Sequence, residues 1–171
     1  MKQGKGEMLT AGGFFKGEFV RNLFCGLGTM MYKNQTKYYG EWLGHKRHGK
    51  GKLEFVNGKV FHGTFEKNDM RYGLMKWPDG RVYRGNFLLG EMSGEGSMQW
   101  PNGQLFEGQW AKGFIDDDHG KMFSVINGNK TLLYEGMWRR GVHKKAHVVG
   151  VNSGDVGQTR PSQIEIEILR H

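Results

Sequence analysis

One cysteine, Cys25, stands in a chain of 171 residues, which excludes an internal disulfide framework. No stretch approaches the roughly 20 apolar residues that cross a bilayer as a helix. The opening Met1-Lys2-Gln3-Gly4-Lys5-Gly6 has no apolar run of the kind a secretory signal needs. These absences point to an intracellular chain, so the sequons at Asn34-Gln35-Thr36 and Asn129-Lys130-Thr131 read as chance matches.

A helical period is missing as well, which bears on the glycine-rich stretches. A phosphate-cradling loop sits at a strand-to-helix junction, and no helix pattern follows Gly49-Lys50-Gly51-Lys52. Those glycines read as permitting tight loops between hairpins. Acid is scarce: Asp116-Asp117-Asp118 is the one acidic cluster, and without the remaining calcium-loop positions it reads as a solvated loop. His45 and His48 lie three apart, short of the ligand set that zinc requires. Cys25 directly precedes Gly26-Leu27-Gly28, a loop setting rather than a nucleophile held by a base. No catalytic residue, cofactor site or metal site emerges, and the chain reads as non-enzymatic.

What is present is a repeat. The pattern aromatic-x-Gly-x-aromatic occurs as Phe15-Lys16-Gly17-Glu18-Phe19, Tyr38-Tyr39-Gly40-Glu41-Trp42, Phe61-His62-Gly63-Thr64-Phe65, Tyr83-Arg84-Gly85-Asn86-Phe87, Phe106-Glu107-Gly108-Gln109-Trp110 and Tyr134-Glu135-Gly136-Met137-Trp138. Lead aromatics are spaced 23, 23, 22, 23 and 28 residues apart, the mark of an array of six similar units. Each is preceded by a Gly-x-Gly followed by alternating apolar residues, as in Gly49-Lys50-Gly51-Lys52-Leu53-Glu54-Phe55. The copy at Arg71-Tyr72-Gly73 keeps only the second glycine, and His119-Gly120-Lys121 is the most degenerate.

Asn57-Gly58, Asp79-Gly80 and Asn102-Gly103 separate the two halves, so each unit reads as strand, turn, strand, with two-residue hairpin turns. Alternation places Leu53, Phe55, Phe61, Gly63 and Phe65 on one apolar face and Glu54, His62 and Thr64 on a wet one. Glycine between two aromatics implies that rings of neighbouring hairpins pass over it. One hairpin cannot bury such a face, because fully burying a large side chain is worth only about 1.5–3 kcal/mol. Stacked copies make the rings a continuous core.

These motifs resemble the membrane occupation and recognition nexus (MORN) repeat, Y-x-G-x-W-x-x-G-x-x-H-G-x-G. Tyr38-Tyr39-Gly40-Glu41-Trp42-Leu43-Gly44-His45-Lys46-Arg47-His48-Gly49-Lys50-Gly51 matches it almost throughout. The resemblance covers residues 4 to 138, and Cys25 and Ser93 replace the histidine in other copies. It implies an all-β fold, an elongated twisted ribbon of tandem antiparallel β-hairpins, followed by a basic linker and tail over 139–171. It also implies a scaffold for a protein partner at cytoskeletal, ciliary or flagellar, or membrane-apposed structures, with direct binding of acidic phospholipids (phosphoinositides) as the alternative. Some members carry phosphoinositide kinase or lysine methyltransferase domains, but the 33 residues from 139 to 171 are too few for either.

Three surfaces are candidates for binding. The net charge is +8, and Arg139, Arg140, Lys144 and Lys145 concentrate it in a segment without acid that would attract anionic headgroups. Tyr39, Tyr72 and Phe114 are the rings expected to line a groove for a partner's helix or extended peptide. Ile164-Glu165-Ile166-Glu167-Ile168-Leu169 alternates like one more strand, expected to cap the last hairpin or to pair with a partner or a second copy in a homodimer. Nucleic acid is disfavoured as a ligand, because the aromatics are spaced to be core. Gly4 opens the second half of a unit whose first half is missing, which leaves either a bare first strand or a truncated form of a longer protein.

Overall fold

The computed structural model describes residues 1–147, which form one open antiparallel sheet with no helix. Its strands are β1 (Gly4–Thr10), β2 (Gly13–Val20), β3 (Leu23–Tyr32), β4 (Lys37–Leu43), β5 (Lys46–Glu54), β6 (Val60–Glu66) and β7 (Asp69–Lys76). They continue as β8 (Val82–Leu88), β9 (Glu91–Gln99), β10 (Gln104–Ala111), β11 (Phe114–Ile115), β12 (Asp117–Ile126), β13 (Asn129–Arg139) and β14 (Val142–His147). Order in the sheet follows order in the chain, with the short β11 pairing beside β10.

The glycines explain the regular width. Cross-strand pairing sets Gly6 opposite Gly17, Gly17 opposite Gly28, then Gly40, Gly51, Gly63, Gly73, Gly85, Gly96 and Gly108 in unbroken succession. Gly120 faces Gly136, and Ala146 takes the next place. Along this row the lead aromatics lie flat. A β carbon on Gly51 would meet Cε2 of Tyr38 at 2.5 Å, and one on Gly73 would meet Cε2 of Phe61 at 2.7 Å. Each lead aromatic therefore covers two glycines, the one two residues on in its own strand and the one paired with that glycine on the next strand, as Phe61 does with Gly63 and Gly73. Rings thus pass over glycines of the neighbouring hairpin, as Tyr38 does over Gly51, and the second aromatic adds cover within its own hairpin, where Cδ1 of Trp42 would sit 3.2 Å from a β carbon on Gly28.

Phe15, Tyr38, Phe61, Tyr83 and Phe106 are completely buried on this inner face. Each of these five lead rings meets the second aromatic of its own unit and that of the next edge-on, as Tyr38 meets Trp42 at 5.1 Å and Phe65 at 5.0 Å. Such pairs contribute about 0.5–1.5 kcal/mol each beyond their buried area.

The turns differ from the sequence expectation. Asn57-Gly58, Asp79-Gly80 and Asn102-Gly103 belong to three-residue loops in which only glycine has positive φ, at 80°, 90° and 83°. The asparagine or aspartate accepts the N–H two residues on, as Asp79 Oδ1 does from Arg81 at 3.0 Å. Two-residue turns with both residues at positive φ line the opposite edge, at Arg21-Asn22, Gly44-His45, Lys67-Asn68, Leu89-Gly90, Lys112-Gly113 and Arg140-Gly141, and one more, Asn127-Gly128, closes β12–β13 on the edge of the three-residue loops. A second correction concerns Gly-x-Gly. Gly26, Gly49 and Gly94 have φ of 64°, 59° and 64° within strands, at register shifts rather than in loops.

The sheet also runs past residue 138, so Arg139 to His147 is not a linker. Arg140-Gly141 closes a hairpin whose return strand pairs His143 with Trp138 and Ala146 with Gly136. The small residue opposite glycine continues the row without a Gly-x-Gly. The expected strand at Ile164 to Leu169 lies outside the described residues.

Candidate partner-binding groove

Four aromatics stand at one side of the inner face: Tyr32, Phe55, Trp77 and Trp100, all half-buried against the core. Each opens a three-residue loop and is locked there by its own backbone. Trp77 N–H donates to Arg81 O at 3.0 Å, and Trp77 O accepts from Gly80 N at 3.0 Å; the other three repeat the arrangement. Two strands separate successive members, so the wall advances by about 9–10 Å per unit. Guanidinium and ammonium groups lie over Trp77, from Arg81 at 5.5 Å and Lys59 at 5.9 Å.

The opposite wall is built from the second residue after each two-residue turn: Phe24, Arg47, Met70, Met92, Ile115 and His143. Phe24 stacks on Phe15 at 3.7 Å. Arg47 lies over Tyr38 and Phe65, at 5.8 and 5.4 Å, and donates through Nη2 to Asn68 O at 2.8 Å. His143 packs 4.9 Å from Trp138 and 5.0 Å from Tyr134. The floor and one wall repeat, while this wall changes chemistry from unit to unit.

Between the walls lie two hollows. One, bordered by Tyr32, Trp42, His45, Arg47, Phe55 and Asn68, has a mixed polar lining. The other, of about 570 Å³, is mostly apolar and reaches from the Asp79–Arg81 and Pro101 loops on one edge to Phe114 and Gly141 on the other. Burial pushes the Tyr38 phenol up to about 12 and raises Tyr32, Tyr83 and Tyr134 too, so these hydroxyls stay protonated donors at neutral pH.

The expected site residues divide between the two faces. Tyr39 and Tyr72 flank the glycine row at odd register, which turns them outward, away from the groove. Phe114 does border the larger hollow. Arg139 is drawn into ion pairs with Asp116 and Asp118, and the Asp118 carboxylate raises its pKa. The acidic triplet is thus folded against the basic segment. Its middle member, Asp117, accepts N–H groups of Gln109 at 2.6 Å and His119 at 2.8 Å. Arg140 and Lys144 are exposed, and Lys145 lies on β14. Among the described residues, no three His, Cys, Asp or Glu side chains cluster as a metal site.

The MORN repeat family matches the chain at residues 15–37, 38–60, 83–105 and 134–143. The chain carries MORN repeats at these four positions. The stretches between these matches fold as the same unit, for Phe61 meets Phe65 at 5.2 Å and 90° and Phe106 meets Trp110 at 5.7 Å and 84°. A segment of 65 residues is 37% identical to Alsin of Rattus norvegicus, covering 34% of this chain and 4% of Alsin. The chain thus matches a small fraction of that relative's length.

Both walls escape a reading centred on the five-residue motif. Superposing the six MORN units by their glycines exposes the column Phe24, Arg47, Met70, Met92, Ile115, His143 as the one that varies on the inner face. Tyr32, Phe55, Trp77 and Trp100 are visible as the aromatic that always precedes a turn.

Proposed function

We propose that this chain is a non-catalytic scaffold that holds a segment of a protein partner along the inner groove. The observation that carries this reading is the pairing of a constant aromatic wall with a variable one. Half-buried, backbone-locked rings supply contact area at little entropic cost, and differing residues opposite them supply register and choice. Placement at cytoskeletal, ciliary, flagellar or membrane-apposed structures follows from kinship with other MORN-repeat proteins alone.

The test compares retention of partners by variants whose folding is monitored in parallel. Trp77→Ala with Trp100→Ala should reduce retention at least tenfold, while Tyr39→Ala with Tyr72→Ala should leave it unchanged, both pairs keeping a cooperative melt. Retention that follows the outward pair instead would remove the groove from consideration.

A second reading has its own observation. Arg21, Lys67, Lys112 and Arg140 occupy first positions of two-residue turns along a single edge, all exposed. That row would face an acidic phospholipid surface at about 1 kcal/mol per cation. Vesicle co-sedimentation separates the readings: recovery independent of anionic lipid content and of salt would end the lipid one.

A further inference from the structure

The two hollows of the groove differ in character, and the smaller one carries charge without a counterion. Arg47 borders it together with Tyr32 and His45. Burial raises the Tyr32 and Tyr38 phenols, and the Arg47 guanidinium pulls both back down, which puts its charge between the walls. Its Nη2 serves Asn68 O, and no carboxylate among the described residues lies within ion-pair distance of it. His45 Nδ1 accepts the Phe24 N–H at 3.3 Å, so Nε2 is the nitrogen that carries its proton. On the other wall Lys59 stands over Trp77, again without a carboxylate among the described residues.

Register explains the missing acid. Every glutamate of the described strands is at an outward position: Glu7, Glu41 and Glu107 lie one place from a row glycine, and Glu91 pairs with the outward Leu88. Strand carboxylates therefore meet cations on the outer face, as Glu7 meets Lys16 and Glu107 meets Lys130. Among the described residues only Asp79 borders either hollow, and Arg81 engages it at 2.8 Å. The groove is basic near its middle and apolar toward β13. A flat bilayer does not enter between two walls; a peptide side chain does.

We propose that the partner segment is an extended acidic peptide, whose Asp or Glu carboxylate pairs with Arg47 in the smaller hollow while a large apolar side chain fills the larger one. Charge complementarity selects the first residue. The lining by Met92, Trp100 and Phe114 selects the second. The hollows are centred near β4–β5 and β10, about five strands or roughly 25 Å apart. An extended chain covers that span in about 7–8 residues, which fixes the separation of the two anchors. This rests on the groove as the partner surface and states which partners it accepts.

The probe is a library of random twelve-residue peptides displayed on phage and selected on the full chain. Enriched sequences should carry Asp or Glu about 7–8 residues from Leu, Ile, Met or Phe. Selection on Arg47→Glu should exchange that acid for Lys or Arg and keep the apolar residue. For one enriched peptide made synthetically, replacing its carboxylate by the amide should weaken binding to the parent chain at least tenfold. The same replacement should change binding to Arg47→Gln less than twofold, with both chains melting cooperatively.

Failure to enrich acidic peptides would overturn the acidic anchor; if the apolar peptides obtained instead are lost with Trp77→Ala and Trp100→Ala, the groove itself stands. Acid enrichment that Arg47→Glu leaves unchanged would overturn the anchor as well. Should those peptides also survive Trp77→Ala with Trp100→Ala, the groove reading falls with it. The stretch Ile164 to Leu169 alternates apolar residues with Glu165 and Glu167. Peptides selected only after Glu165→Gln and Glu167→Gln would make the chain's own C-terminal stretch the occupant and overturn a partner there.

Discussion

The phenol ring of Tyr38 lies over Gly51 so closely that a β carbon there would stand 2.5 Å from its Cε2. The same relationship recurs down the glycine row, and it is what makes the glycines necessary. Gly63 is among the tightest positions of the row, since its β carbon would strike Tyr72 O and come within 2.7 Å of the Gly73 Cα. Gly63→Val should destabilise at the upper end of the roughly 1–3 kcal/mol typical of overpacking. Gly6→Ala is the control, because its β carbon would meet Phe19 at an ordinary 3.5 Å. Urea melts should place Gly6→Ala within about 0.5 kcal/mol of the parent.

Leu89 has φ of 51° and is 82% exposed, a left-handed conformation held by a side chain with no contact to offset it. Asparagine tolerates that region, so Leu89→Asn should stabilise by on the order of 1 kcal/mol. A rise in melting temperature checks this.

Alkaline pH should unfold the ribbon through its buried phenols. Tyr38 is raised to about 12 and Tyr83 is raised further, both chiefly by burial. Their folded pKa exceeds the unfolded value near 10. The stability they contribute is complete below that value and is lost as pH climbs toward the folded one, because the unfolded chain releases those protons first. Denaturant midpoints should therefore hold steady to about pH 10 and then fall, with tyrosinate absorbance growing in step with unfolding. Phenolate absorbance that saturates while the sheet remains intact would contradict the burial argument.

The acidic triplet should prove uneven. Asp117 accepts two exposed backbone N–H groups, so Asp117→Ala hands both donors to water and should cost about 0.5–1.5 kcal/mol per hydrogen bond lost. Asp118 holds only the exposed Arg139, and surface pairs contribute about 0–1 kcal/mol, so Asp118→Ala should change thermal stability little.

The hairpins were legible because both of their signals are local. Aromatic and glycine positions alternate at period two, and that parity alone put Leu53, Phe61 and Phe65 on the buried face. Turn geometry was less so. Asn-Gly occurs in both two- and three-residue loops, and the choice at Asn57-Gly58 depends on how Phe55 pairs with Lys59. The site was read least well, for a similar reason. Tyr39 and Tyr72 looked available as aromatics outside the main columns, yet register alone decides that they face away from the groove. Arg139 looked like a free cation until the ribbon brought Asp116 and Asp118, more than twenty residues earlier, against it.

The central claim is that partners are held on the inner face and not the outer. Site-directed photo-crosslinking tests it most directly, with benzoylphenylalanine placed at Trp77 in the groove wall or at Tyr39 on the outward face, and both chains expressed in the source cell. A discrete crosslinked protein from position 77 and none from position 39 is the result expected. The same product from position 39, with position 77 silent, would contradict the account.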